Sequence, residues 1–277
     1  MTPAIRTLSF VLAASLPVAA GAAEPAPQPN SPRLGLHLGV EHFKWKESDP
    51  NQPSRELLEE SGPRLAGTVT FDNFLKPDEG LVYALKGRLY YGEVDYDGET
   101  QAGVPLRTDV EYAGTLAEGR AGYRFPLTWA GMGLDVLGGL GGEYWSRDIH
   151  DGYDANGNKA QGYQEEYTVA YARAGLALAD LSYAEWFGRL EAGARYPLDV
   201  QERIDDFDAD LSPGSKISLY ASYEISRTTA AGHQVGVTFY YDSYRFKESP
   251  SASSSLGLVR QPKSDMDVFG LRLGWFL

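Results

Sequence analysis

Ten separate stretches of this chain alternate apolar residues with small or polar ones at a period of two, and after the first two dozen residues no continuous apolar run is long enough for a membrane helix. The pattern is plainest from Asp267 to Leu277, where Phe269, Leu271, Leu273, Trp275 and Leu277 fall on one face and Gly270, Arg272 and Gly274 on the other. Leu34 to Val40 repeats it, with Leu34, Leu36, Leu38 and Val40 opposed to Gly35, His37, Gly39 and Glu41. So do Leu65 to Phe71 and the run from Leu81 to Tyr91. The remaining segments lie near Val110 to Phe125, Gly133 to Arg147, Tyr167 to Leu178, Trp186 to Leu198, Ile217 to Ile225 and Val235 to Tyr244. Each can supply the roughly 9 to 11 residues that a tilted strand needs to cross a bilayer. If the oily faces meet lipid, the strands must close on themselves, because unpaired backbone groups in hydrocarbon cost several kcal/mol each.

The connections alternate in length. Lys76 to Gly80, Pro126 to Gly131, Ala179 to Ala184 and Thr228 to Gly232 are turn-sized, while Glu47 to Gly62, Val94 to Thr108, Asp148 to Gly162, Gln201 to Gly214 and Lys247 to Ser264 are long and polar. Short turns at one end and long loops at the other predict an all-β, antiparallel up-and-down transmembrane β-barrel of 10 strands over residues 33–277, with 8 or 12 as the alternatives. The alternation slips near Leu116 to Ala121 and near Tyr171 to Ala174, where a β-bulge is expected. A soluble β-sandwich or lipocalin-like barrel also alternates. Two features favour the membrane. The polar face carries both signs of charge, with Lys86, Arg88, Glu111, Glu118, Arg120, Arg124, Asp135, Glu143, Arg189, Glu191, Arg195, Glu224 and Arg272, as suits a narrow lumen filled by ion pairs. Trp129, Trp186 and Trp275 would all sit at the short-turn rim, as in an aromatic girdle.

Residues 1–23 read as an export signal: Arg6, an apolar run from Leu8 to Ala20, then small residues through Ala23. Residues 24–32 are a Pro-rich periplasmic lead-in. Losing Arg6 makes the chain one unit more negative than its −13, which argues against nucleic acid or anionic lipid headgroups as the main partner. With no cysteine, disulfides and thiolate metal sites are excluded.

A terminal strand ending on Trp275, Phe276 and Leu277 resembles the C-terminal strand by which outer-membrane β-barrel proteins of Gram-negative bacteria are recognised for assembly. That family usually ends on Phe, whereas here Phe276 precedes Leu277. The resemblance implies residence in the outer membrane. It also implies partners there: the barrel-assembly machinery during biogenesis, then outer-membrane lipid and lipopolysaccharide.

The chemistry is less defined. Asp95-Tyr96-Asp97 and Asp148-Ile149-His150 resemble the catalytic groups of the omptin proteases, in which paired acids and an acid-oriented histidine face each other across the mouth of a ten-stranded barrel; in this chain the two groups fall on neighbouring hairpins. Glu202, Asp205, Asp206, Asp208 and Asp210 form an acidic fourth outer loop, a candidate for a divalent cation although the spacing is not that of an EF-hand. Asp154-Ala155-Asn156-Gly157 reads as a hairpin tip. His37 and Glu41 share one face of the first strand and Ser222 and Glu224 one face of the eighth, the residue types of a lipid A-modifying barrel on strands that are not neighbours. His233 falls in a short turn without an obvious partner, and Gly138 to Gly142 are wall glycines. No catalytic, cofactor-binding or metal-binding residue is assigned from these patterns, and whether the chain is an enzyme stays open. The expected role is a surface or envelope-interaction protein with an occluded, charged lumen, acting through acidic loops. The rivals are a narrow porin-like pore and a rim enzyme, either an omptin-like protease or a lipid A-modifying enzyme.

Overall fold

A computed structural model describes residues 32–49, 52, 54–75, 78–100, 102–180, 186–229, 233–255 and 257–277; the signal and most of the Pro-rich lead-in lie outside them. Ten long strands make up the wall: β1 (Arg33–Ser48), β2 (Glu56–Asp72), β3 (Gly80–Glu99), β4 (Pro105–Leu127), β5 (Met132–Ile149), β6 (Tyr163–Asp180), β7 (Trp186–Ile204), β8 (Ser218–Thr228), β9 (Gln234–Lys247) and β10 (Lys263–Phe276). Each pairs antiparallel with its sequence neighbours, and β10 closes on β1 from Gly35↔Phe276 to Ser48↔Lys263. The closed ten-stranded barrel is the expected one.

The strands are longer than a bilayer requires, up to 23 residues in β4. Their outward faces explain why. In β5 the outward positions from Leu134 to Tyr144 are apolar or glycine, after which Ser146 and Asp148 follow on the same face. In β1 the outward Leu34, Leu36, Leu38 and Val40 give way to His42, Lys44 and Lys46, while the inward face changes from Gly35, His37, Gly39 and Glu41 to Phe43 and Trp45. The apolar phase of the alternation therefore inverts partway along an unbroken strand. Glu93, Asp95 and Asp97 mark the same inversion in β3, Asp109 and Glu111 in β4, Asp199, Gln201 and Arg203 in β7, and Asp265 and Asp267 in β10. Below the inversion the wall is made for hydrocarbon; above it the barrel continues as a collar with a water-facing outside and an aromatic inside. Much of what read as long loops is collar: β2 starts at Glu56, β3 runs to Glu99 and β7 to Ile204.

Three further expectations are corrected. Strand β4 carries no bulge; its alternation slips in sequence because Leu116, 1 % exposed, points into the lumen beside Glu118. The irregularity near Tyr171 is real, but the extra residue is on the partner strand, where Ala170 pairs with Asp199 and Tyr171 with Pro197, so Leu198 is the one left over. Glu111 belongs to the outer face of the collar, where it accepts a hydrogen bond from Tyr91 at 2.8 Å, and not to the lumen.

The 18 tyrosines and 31 glycines have a shared use that a rim girdle does not cover. Tyr90 lies over Gly114, Tyr171 over Gly141, Tyr240 over Gly270, and Tyr220 over both Gly175 and Gly193, each so close that a Cβ on the glycine would collide with the ring. A missing side chain on one strand thus makes room for a ring from another. Gly141→Val is expected to destabilise the barrel by about 1–3 kcal/mol through overpacking, because it drives Tyr171 away from Glu118, to which its hydroxyl donates at 2.9 Å. Urea unfolding in detergent would measure it; an unchanged midpoint would count against this packing.

Candidate functional site

The inward side chains form tiers from the short-turn end to the long-loop end. At the bottom, Phe74 folds up from the first short turn and its carbonyl accepts from Arg124 at 2.8 Å, while Arg124 grips Asp135 with two hydrogen bonds of 2.5 and 2.9 Å. Arg33 bonds Asp72 at 2.8 Å and Glu224 at 2.9 Å, with its guanidinium 4.2 Å from the Phe276 ring centroid. In the middle, Glu41 accepts from Arg64, Arg88 and Tyr240 at 2.8, 3.0 and 2.6 Å. Glu143 accepts from Arg88, Tyr90 and, across the lumen, Tyr244 at 3.1, 3.0 and 2.7 Å. Arg173 bridges Glu118 and Glu191, and Arg195 holds Asp242. Charged groups in so narrow a space must pair, since a buried charge without a partner is far costlier than a pair. Among the lumen charges expected from sequence, those on β3 to β5, β7, β8 and β10 other than Glu111 do point inward.

Above these tiers lies an aromatic layer made of Phe43, Trp45, Tyr112, Trp145, Tyr167, Tyr244 and Phe246, all at most 2 % exposed, with Trp145 and Tyr167 stacked at 4.8 Å. Above it sits Arg147 of β5. Its guanidinium bonds Glu60 of β2, with one contact at 3.0 Å, and Glu165 of β6, and lies 3.7 Å from Glu47 of β1. Tyr112 donates to Glu60, while Trp45 and Gln261 donate to Glu47 at 2.9 and 2.8 Å. Glu202 of β7 completes this ring of acids. Most of the group was hidden in sequence because Glu47, Glu60 and Glu202 fall in or at the edge of segments read as loops; the inward alternation of Phe43, Trp45 and Glu47, and of Leu58, Glu60 and Gly62, was the available signal.

The long connections pack into a lid over this mouth. Residues 209–211 fold back on β7, pairing Ala209 with Ile204 and Leu211 with Glu202, and the buried Ile204, Ala209 and Leu211 pack with Tyr163, Phe207, Ala252 and Val259. Ser255 of the fifth connection donates its amide to the Phe207 carbonyl at 2.9 Å. The acidic fourth loop is therefore dispersed: Glu202 points into the lumen, Asp206 accepts from the Gln164 amide at 3.2 Å, and Asp205 pairs with Arg203 at 2.5 Å. Among the described residues no group of three His, Asp or Glu side chains could hold a metal ion.

The omptin-like groups do not meet. Asp95 and Asp97 face outward from the collar of β3, with Asp97 paired to Arg107 at 2.7 Å, and Asp148 faces outward from β5. The His150 amide donates to the Asp109 carbonyl at 3.0 Å. None of these three acids looks into the mouth. Asp154 closes the expected hairpin tip, with Gly157 at a φ of 81°; hydrogen bonds from the side chain and amide of Asn158 hold its carboxyl below the usual carboxylate range. His37, Ser222 and Glu224 do line one lumen cavity, but it measures only about 20 Å³. His37 is bonded there to Thr70 at 3.1 Å and Glu224 to Arg33, and among the described residues no hydrogen bond joins either to the Ser222 hydroxyl. His233 packs edge-on against Trp275 at 5.5 Å. Trp129, Trp186 and Trp275 are exposed at the short-turn rim as expected, whereas Trp45 and Trp145 are lumen residues.

No family model matches this chain, and no curated protein matches it. Solved structures do. The outer membrane protease OmpT from Escherichia coli superposes with a TM-score of 0.55 at 9% identity, over 90% of this chain and 96% of that one. An outer membrane channel from Pseudomonas putida F1 gives 0.43 at 11% identity over 94% and 100%. The transport unit of the autotransporter AIDA-I from Escherichia coli gives 0.41 at 9% identity over 91% and 92%. At such identities the likeness is one of fold, and the fold is that of a small outer-membrane β-barrel.

Proposed function

We propose that this protein resides in the outer membrane, short turns toward the periplasm and collar outward, as a barrel closed to solutes that acts in surface or envelope interactions through its collar and lid. The apolar band would meet outer-membrane lipid, and the acidic rim above it would lie at the level of lipopolysaccharide headgroups. The observation that carries the reading is the filled lumen. Ion pairs and aromatic rings occupy it from Arg124 to Arg147, and the polar cavity among them, at about 20 Å³, has room for about one water. A ten-stranded barrel is close to the size that side chains alone can fill. The outward direction of Asp95, Asp97 and Asp148 argues against a rim protease built on those acids.

Refolded protein in a planar bilayer is expected to be electrically silent. Arg189→Ala combined with Glu191→Ala, which removes an ion pair toward the short-turn end, is the comparison. Steady current steps in the parent protein that change in the double variant would overturn the closed reading and make the lumen the functional path.

A further inference from the structure

Every carboxylate in the two lower tiers holds at least one arginine: Glu41 has Arg64, Asp72 has Arg33, Glu118 has Arg173, Asp135 has Arg124, Glu143 has Arg88 and Asp242 has Arg195. At the mouth the ratio changes. Glu47, Glu60, Glu165 and Glu202 are all buried, and among the described residues one guanidinium, that of Arg147, lies within 4 Å of the first three. Glu202 is the surplus member. It is 1 % exposed, and among the described residues neither of its carboxylate oxygens accepts a hydrogen bond. The groups facing it are Glu165 and Tyr167 from β6, Glu47 from β1 and Arg147 from β5. The donors among them are shared with other acids: Arg147 bonds Glu60 and Glu165, and the Tyr167 hydroxyl, which also faces Glu202, lies 3.3 Å from Glu165.

The same residue carries the lid on its backbone. Leu211 pairs with Glu202, and Leu211 and Ala209 are the buried part of the lid that packs on Tyr163, Phe207, Ala252 and Val259. No other acid of the ring has lid backbone paired to it among the described residues.

We propose that Glu202 is a proton-operated latch: with a proton on its carboxyl the lid seats on the mouth, and with that proton released the buried carboxylate, facing Glu165 and Glu47, is stable only where water reaches it, which lifts the lid. A protonated carboxyl is neutral and becomes a donor toward its acidic neighbours. An ionised one at this place is a fourth buried negative charge with no counter-ion left to meet it. The exposed carboxylates of the collar lack this property, because water screens them. The latch does not depend on whether the barrel conducts.

The chain has no cysteine, so spin labels can be placed cleanly on Asp95→Cys, on the outer wall of β3, and on Ser253→Cys, in the lid. Distances would be measured on the refolded full chain in micelles at about pH 5 and about pH 8, a range across which buried carboxyls titrate. The expected result is one narrow distribution at the lower pH and a longer, broader one at the higher pH. Glu202→Gln should hold the narrow distribution at both. Should that variant not fold, Glu202→Met, also without a titrating group, must do the same. A parent protein with one distribution at both pH values, or a non-titrating variant that still responds, would overturn the latch.

Discussion

Arg147→Ala is expected to cost on the order of 3–5 kcal/mol of barrel stability, the penalty for removing one partner of a buried ion-pair group. Arg147 is 1 % exposed, and among the described residues it is the one cation at the cluster of Glu47, Glu60, Glu165 and Glu202. Its loss leaves four buried carboxylates facing one another, with only the neutral donors Tyr112, Tyr167, Trp45 and Gln261. A truncation on the collar's outer wall provides the contrast. Arg203 pairs with Asp205, but the two side chains are 62 % and 64 % exposed, and exposed pairs contribute only about 0–1 kcal/mol. Urea unfolding followed by the change in gel migration between folded and heated barrel would compare Arg147→Ala with Arg203→Ala. Equal midpoints would show that the mouth cluster is not the buried, mutually dependent group described above. The penalty should also be partly reversible: adding Glu60→Gln and Glu165→Gln to Arg147→Ala neutralises the two acids that Arg147 bonds and should recover part of it, because replacing both partners of a buried ion pair is cheaper than removing one.

That mouth cluster also marks where reading the sequence stopped short. Leu34 to Val40 announce a strand because apolar residues face out and small or polar ones face in. Phe43, Trp45 and Glu47 continue the same strand with the phase reversed, and a reader looking for one oily face takes the reversal for the end of the strand. The cause is the change of solvent at the membrane edge: the outside turns polar at His42 and Lys44, and the inside, now the only dry place, turns aromatic. Strand number, closure and the identity of most lumen charges survive this ambiguity, because they depend on periodicity within the band. Partners do not survive it. Arg147 and Glu60 are separated by 87 residues in sequence, and only the register of three intervening pairings brings them together. Direction was equally illegible at the rim, where Asp95, Asp97 and Asp148 have the residue types of an acid pair but sit on outward positions of the collar.

Leu140→Arg should cost about 2–4 kcal/mol and impair insertion, the penalty measured for a cation at the bilayer midplane of a barrel's lipid-facing wall. Leu140 is 63 % exposed and stands midway between Leu134 and Tyr144, in the centre of the outward apolar run of β5. Its neighbours across the sheet are Gly119 on β4 and Ala172 on β6, too small to shelter a guanidinium, so the charge would have to snorkel half the thickness of the hydrocarbon. Asp148→Arg, on the same strand and the same outward face but above the inversion, should be nearly neutral, since that position already meets water. Folding yield into lipid vesicles at equal protein concentration would separate the two. In a water-soluble barrel the order disappears, because an exposed Leu→Arg on a solvated wall is usually within about 0.5 kcal/mol of neutral. Similar yields for both variants would therefore remove the membrane from this reading while leaving the closed barrel in place, whereas loss confined to Leu140→Arg would locate the lower edge of the collar between residues 140 and 148 of β5.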